Sequence, residues 1–289
     1  MKRWKAAITI TLALLVSACA ELPSGADGKL VNEWPGIADP AGWTPEAGNC
    51  HDEFQNFPSR TNYRPMDCSK LHRYEFVHVG QFTGADANLA NSPDAGTPAY
   101  RKAWAECDAK TTEFLGGPWR DRKITIKVGF PTGEAWGGGA HWFLCWVAQL
   151  PQLNRAPIFA SGSLKGKFAD PNLEYGCYQL TTADDKVTDF TSTACTAPHN
   201  AEFVGGVDWN VEWSVVTAEA EKEASKQHSI CVNAVQGFVG ASVNTGTWTW
   251  TPGEADWKAG DHFLRCYLYT GKISLKRSMK GVGAKGWLK

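Results

Sequence analysis

"CTAPHNAEFVGG" (residues 195–206) repeats "CSKLHRYEFVHV" (residues 68–79), with Cys, His, Glu, Phe and Val at identical spacing. The cysteines around the two lines are doubled as well. Cys50 to Cys68 and Cys177 to Cys195 are both separated by 18, and Cys107 to Cys145 by 38 against 35 for Cys231 to Cys266. Downstream, "PTGEAWGGGAHWFLC" (131–145) lies in register with "PGEADWKAGDHFLRC" (252–266), "EFLGG" (113–117) answers "GFVGA" (237–241), and "SLKG" (163–166) answers "SMKG" (278–281). One four-cysteine unit is therefore present twice, and a three-residue deletion falls in the second copy's counterpart of the loop around "GPWRDR" (117–122). The repeats are placed at residues 49–170 and 171–289.

Each copy reads as a strand, a helix and two further strands. "YEFVHVGQF" (74–82) has strand composition. "TPAYRKAWAECDAKTTEFLGG" starts on Thr97 as N-cap and Pro98 at the first helical position, then sets Tyr100, Ala103, Trp104, Cys107 and Phe114 on one face before a glycine stop. "KITIKVGF" (123–130) alternates with period two, and "HWFLCWVAQL" (141–150) is a further strand. In the second copy one helix is expected from Thr217 to about Phe238. The fold class is α+β: two tandem similar domains, each a small antiparallel sheet with one packed helix and two disulfides.

The N-terminus assigns the compartment. Lys2, Arg3 and Lys5 precede an apolar run, Ala6–Val16, too short for a ~20-residue membrane span, so residues 1–18 read as an export signal. Its end, Val16-Ser17-Ala18-Cys19, resembles the lipobox of bacterial lipoproteins, which implies that Cys19 becomes an acylated N-terminus on the outer face of the cell membrane; the alternative is an ordinary secretory signal cut after an A-x-A-like stretch. Residues 19–48 read as a lipidated, Pro/Gly-rich tether. Without the signal, 26 basic residues face 30 acidic ones, a mild net charge of −4 that argues against a nucleic-acid partner. Eight cysteines remain, an even number that in an exported chain indicates a disulfide framework. If the copies fold independently, the pairs are Cys50–Cys68, Cys107–Cys145, Cys177–Cys195 and Cys231–Cys266, each contributing roughly 3–4 kcal/mol; Cys50–Cys145 is a competing pair within a copy.

His72 with Glu75, and His199 with Glu202, have metal-ligating and acid/base chemistry. On a regular strand, residues three apart point to opposite faces, so the members of each pair share a site only across a bulge. The plainer reading packs each histidine beside the neighbouring disulfide. Trp136 with His141, and Trp257 with His262, flank glycine-containing turns; each Trp either plugs a core or offers a stacking surface. Trp142/Trp146 and Trp248/Trp250 form stripes on strand faces. There is no H-E-x-x-H, G-x-S-x-G, phosphate loop, C-x-x-C or EF-hand motif.

Gly48 and Cys50, Cys68 with His72 and Glu75, Cys107, "PTGEAWGGGAHWFLC" and "SLKG" resemble the actinobacterial septum-formation domain. The second copy resembles it through Gly176-Cys177, "CTAPHNAE" (195–202) and "WKAGDHFLRC" (257–266). The copies differ at Leu71 against Pro198 and at Ala140 against Asp261. The resemblance implies an envelope protein of septum formation and supplies no catalytic residues. The expectation is a non-catalytic lipoprotein without metal or cofactor, whose repeats bind a division protein, a cell-wall protein or a glycan. One alternative is an envelope hydrolase or transferase using carboxylates and His72 or His199. Another is a metal or redox sensor, which requires free thiols.

Overall fold

The computed structural model describes residues 43–183, 186–220, 222 and 226–287. The export signal, Cys19 and the tether up to residue 42 lie outside the described residues. Of those described, no helix is long and apolar enough to cross a membrane.

The first unit runs β1 (Cys50–His51), β2 (Tyr74–Gln81), α1 (Pro98–Leu115), β3 (Ile124–Gly129), a short α2 (Gly133–Gly137) and β4 (Trp142–Gln149). Its strands form one antiparallel sheet in the order β1-β2-β4-β3. The second runs β5 (Cys177–Ala183), β6 (Lys186–Thr193), β7 (Ala201–Asp208), α3 (Trp213–Ala220), α4 (Lys226–Val239), β8 (Gly246–Trp250), α5 (Glu254–Ala259), β9 (Phe263–Tyr269) and α6 (Gly283–Gly286). Its order is β6-β5-β7-β9-β8, which without β6 is that of the first sheet. Register agrees too: Cys50 faces Glu75 as Cys177 faces Glu202, and each second strand bulges at one position, Val77 in β2 and Val204 in β7. The architecture is α+β, two similar sheet-plus-helix units.

Helix α1 forms where its capping signals put it. Thr97 accepts the Tyr100 N–H at 3.3 Å, and Gly116 closes the helix in the left-handed region at φ 88°. It buries Ala103, Trp104 and Cys107 against β4, a strand covered on both sides. On β4, Phe143, Cys145 and Val147 face the helix, while Trp142, Leu144 and Trp146 face Trp43, Phe54 and Tyr63 from the N-terminal segment. The four disulfides are those the doubled spacing predicts, one in each unit stapling helix to final strand.

The second unit departs from expectation twice. "KVTDFTST" pairs with β5 as an added edge strand, β6. Phe190 of β6 meets Trp248 of β8 at 5.3 Å although the two strands are opposite edges of the sheet, so this sheet curls and its aromatic face closes on itself. The single long helix is instead two: α3 starts earlier than expected, and the Glu219 carboxylate accepts the Lys226 N–H at 2.9 Å, capping α4 as a separate helix.

The described residues pack as one compact unit. Ala259 of the second half is buried in the core of the first, and Leu153 of the connecting segment is buried in the aromatic core of the second.

Candidate functional site

The two His–Glu pairs come together, contrary to the strand argument, for a local reason. His72 precedes β2 and bridges Ala160, and His199 precedes β7 and bridges Leu275, so neither histidine follows the alternation of the strand after it. His72 Nε2 lies 3.8 Å from Glu75 Oε1, and His199 Nε2 lies 3.4 Å from Glu202 Oε1. Each Nδ1 faces a backbone carbonyl at 2.8 Å, that of Lys70 or Ala197, and so carries a proton there. Each carboxylate fastens the far end of its unit. Glu75 accepts Ser163 Oγ at 2.7 Å and Leu164 N at 2.6 Å, and Glu202 accepts Ser278 Oγ at 2.7 Å and Met279 N at 2.8 Å. This explains why "SLKG" and "SMKG" are doubled along with the histidines.

The sets Cys50, Cys68, Glu75 and Cys177, His199, Glu202 each bring potential ligand atoms within 4.8 Å of one another. Their sulfurs are bonded as disulfides and offer no thiolate to an ion. With both carboxylates and each histidine Nδ1 engaged by backbone or hydroxyl, and each Nε2 turned to its own glutamate, the clusters act as internal latches.

Trp136 and Trp257 are core plugs, each 1% exposed, donating their indole N–H to the carbonyls of Leu89 (2.7 Å) and Val211 (2.8 Å). His141 and His262 pack on them at 4.8 and 5.1 Å between ring centroids and are half-buried. Trp142 and Trp146 are buried, whereas Trp248 and Trp250 are half-buried against the tyrosines of the second sheet.

An open concavity that joins both units lies elsewhere, one of several among the described residues. A cleft of about 510 Å³ is lined by Trp104, Trp119 and Lys127 from the first unit and by Trp250, Asp261 and Arg265 from the second. Beside it, Arg120 ties the units together. Its Nη1 donates to Asp108 at 2.7 Å and its Nε to Asp261 at 3.2 Å, while its guanidinium sits 5.0 Å from the ring centre of Trp104 and 4.9 Å from that of Trp119. Arg265 Nε returns a hydrogen bond to the Arg120 carbonyl at 3.2 Å. Burial raises the Asp261 carboxyl above its ordinary range, against the opposing pull of Arg265 and Arg120. Burial likewise raises Asp121.

None of Asp108, Arg120 and Arg265 stands out by motif, but the repeat carried a signal for two of them. Arg120 lies in the "GPWRDR" loop, the site of the register change between copies. Arg265 stands inside the strand "FLRCYLY" where the first copy has Leu144, buried among aromatics. The copies agree at the latches and differ at the cleft.

No curated protein and no solved structure matches the chain. A family model described as septum formation matches residues 47–266, a span that takes in the first sheet and the second as far as the middle of β9. With that match covering most of the chain and the same disulfide-latched unit present on either side of the cleft, the protein belongs to the septum-formation family and has a septum-related role.

Proposed function

We propose that the protein serves septum formation as a non-catalytic, lipid-anchored protein on the extracytoplasmic face of the cell membrane, its halves being two copies of one family domain that together hold a division or wall-assembly partner in the cleft between them. The observation that carries this reading is the distribution of differences between the copies. Arg120 from the longer loop, and Asp261 and Arg265 in place of Ala140 and Leu144, gather at one place where both units contribute walls. This makes one composite site rather than two equal ones, so partner binding gains nothing from avidity. The non-catalytic reading is supported by the work of Glu75 and Glu202, whose carboxylates both fasten a hydroxyl and a backbone N–H of the fold.

The test is made in the source cell. Cells carrying Trp250→Ala together with Lys127→Glu, at normal protein level, are expected to show the septation defect of a deletion strain. Normal division by this variant, beside a defective deletion strain, overturns the cleft as the working surface. Release of Cys19→Ala into the medium with undisturbed division overturns the anchored role.

A further inference from the structure

We infer that the cleft receives the free carboxylate of a short peptide, seated on Arg265; this rests on the cleft being the binding site. Arg265 is 2% exposed, sits mid-strand on β9 and lines the cleft, yet it forms no ion pair among the described residues. Asp261 is the carboxylate nearest in sequence, and its contact within ion-pair distance is with Arg120. Arg265 Nη1 has no acceptor, and the buried Tyr175 hydroxyl stands against the same guanidinium. These groups belong to one neighbourhood. The guanidinium carbon is 5.9 Å from the ring centre of Tyr175 and 5.1 Å from that of Trp250, which lines the cleft.

A buried guanidinium donor without an acceptor is costly. A carboxylate, with two acceptor oxygens and no donor, answers that need. A doubly charged phosphate fits worse, because Asp121 and Asp261 lie close enough to Arg265 to feel its charge and would repel a second negative charge. The walls select what carries the carboxylate. Trp104, Trp119, Trp250 and Pro252 offer apolar surface, and Asn154 and the exposed Asp256 at the mouth accept hydrogen bonds from peptide N–H groups. The volume falls within the range of roughly 300–1,000 Å³ usual for small-ligand sites.

The mature protein is titrated calorimetrically with tetra-alanine as the free acid and as its C-terminal amide, with acetyl-glycine amide, inorganic phosphate and chitotetraose as further probes. The free acid is expected to bind roughly tenfold or more tighter than the amide, the difference between a charge-assisted and a neutral acceptor. Arg265→Gln should abolish that preference. Because a change in mid-strand endangers folding, Tyr175→Phe is measured in parallel and should weaken the acid without affecting the amide. Equal affinity for acid and amide, preferential binding of phosphate or chitotetraose, or no binding by any probe overturns the carboxylate assignment. If cleft variants still fail in septation while no peptide binds, the ligand chemistry falls and the cleft stands.

Discussion

His51 is enclosed by the rings of Tyr63 and Trp146, at 4.9 and 4.8 Å, and burial lowers its pKa from 6.5 to about 4. Between those values the unfolded chain takes up a proton that the native protein refuses, so this group's contribution to stability is full above pH 6.5 and is lost as the pH falls toward 4, by about 3 kcal/mol at most. Its counterpart in the second unit is Tyr178, which has no charge to gain in that window. His51→Phe is therefore expected to flatten the acid side of the stability profile, measured by urea unfolding at pH 4 to 7. An unchanged slope would remove His51 as the source of acid sensitivity. At the latches, Glu202→Ala leaves Ser278 Oγ and the Met279 N–H without acceptors in a buried place. A loss of about 3 kcal/mol is expected in denaturant unfolding, and Glu75→Ala should match it through Ser163 and Leu164.

Among the elements, the two disulfides of each unit differ in access. Cys107, Cys145, Cys231 and Cys266 are fully buried between helix and sheet, whereas Cys68 and Cys195 are half-exposed in loops. Graded reduction followed by alkylation and mass spectrometry should label the Cys50–Cys68 and Cys177–Cys195 pairs well before the other two; the reverse order would show that the helix staples open first. Thr97→Ala removes the cap of α1 and should cost about 1 kcal/mol. That helix was legible because its start, buried face and stop all lie in contiguous residues. The break between α3 and α4 was not, since it depends on Glu219 reaching the Lys226 amide. Strand β6 was not legible either: "KVTDFTST" is mostly exposed and mixes polar with apolar residues, so it carries little periodicity until β5 pairs with it. The latches are legible as His, Glu and cysteine in a pattern, but not in their geometry, because strand alternation begins only at Tyr74 and does not reach back to His72.

For the molecule as a whole, the join between units is the part a repeat analysis reads least well, because identical residues draw the eye and the interface is made of differing ones. Gly260 shows how tight the join is. It holds φ +127°, and a Cβ there would lie 3.1 Å from the Trp104 ring across the interface. Gly260→Ala combines backbone strain with that contact, and a loss of about 1–3 kcal/mol in thermal unfolding is expected. Residues 43–170 expressed alone would bare the socket that Ala259 fills; they should bind a hydrophobic dye strongly, while well-folded, dye-silent material would show the halves to be autonomous. The chain enters this body at Trp43, whose carbonyl accepts the Trp142 indole N–H at 3.1 Å, and Cys50 is bonded to Cys68 shortly afterwards. A tensile load applied at the N-terminal end would peel off the few residues before Cys50 and then meet a covalent stop. Because the bridge carries the load directly to Cys68, residues 51–67 cannot lengthen, and the molecule would respond to pulling as a short strap fixed to a rigid buckle.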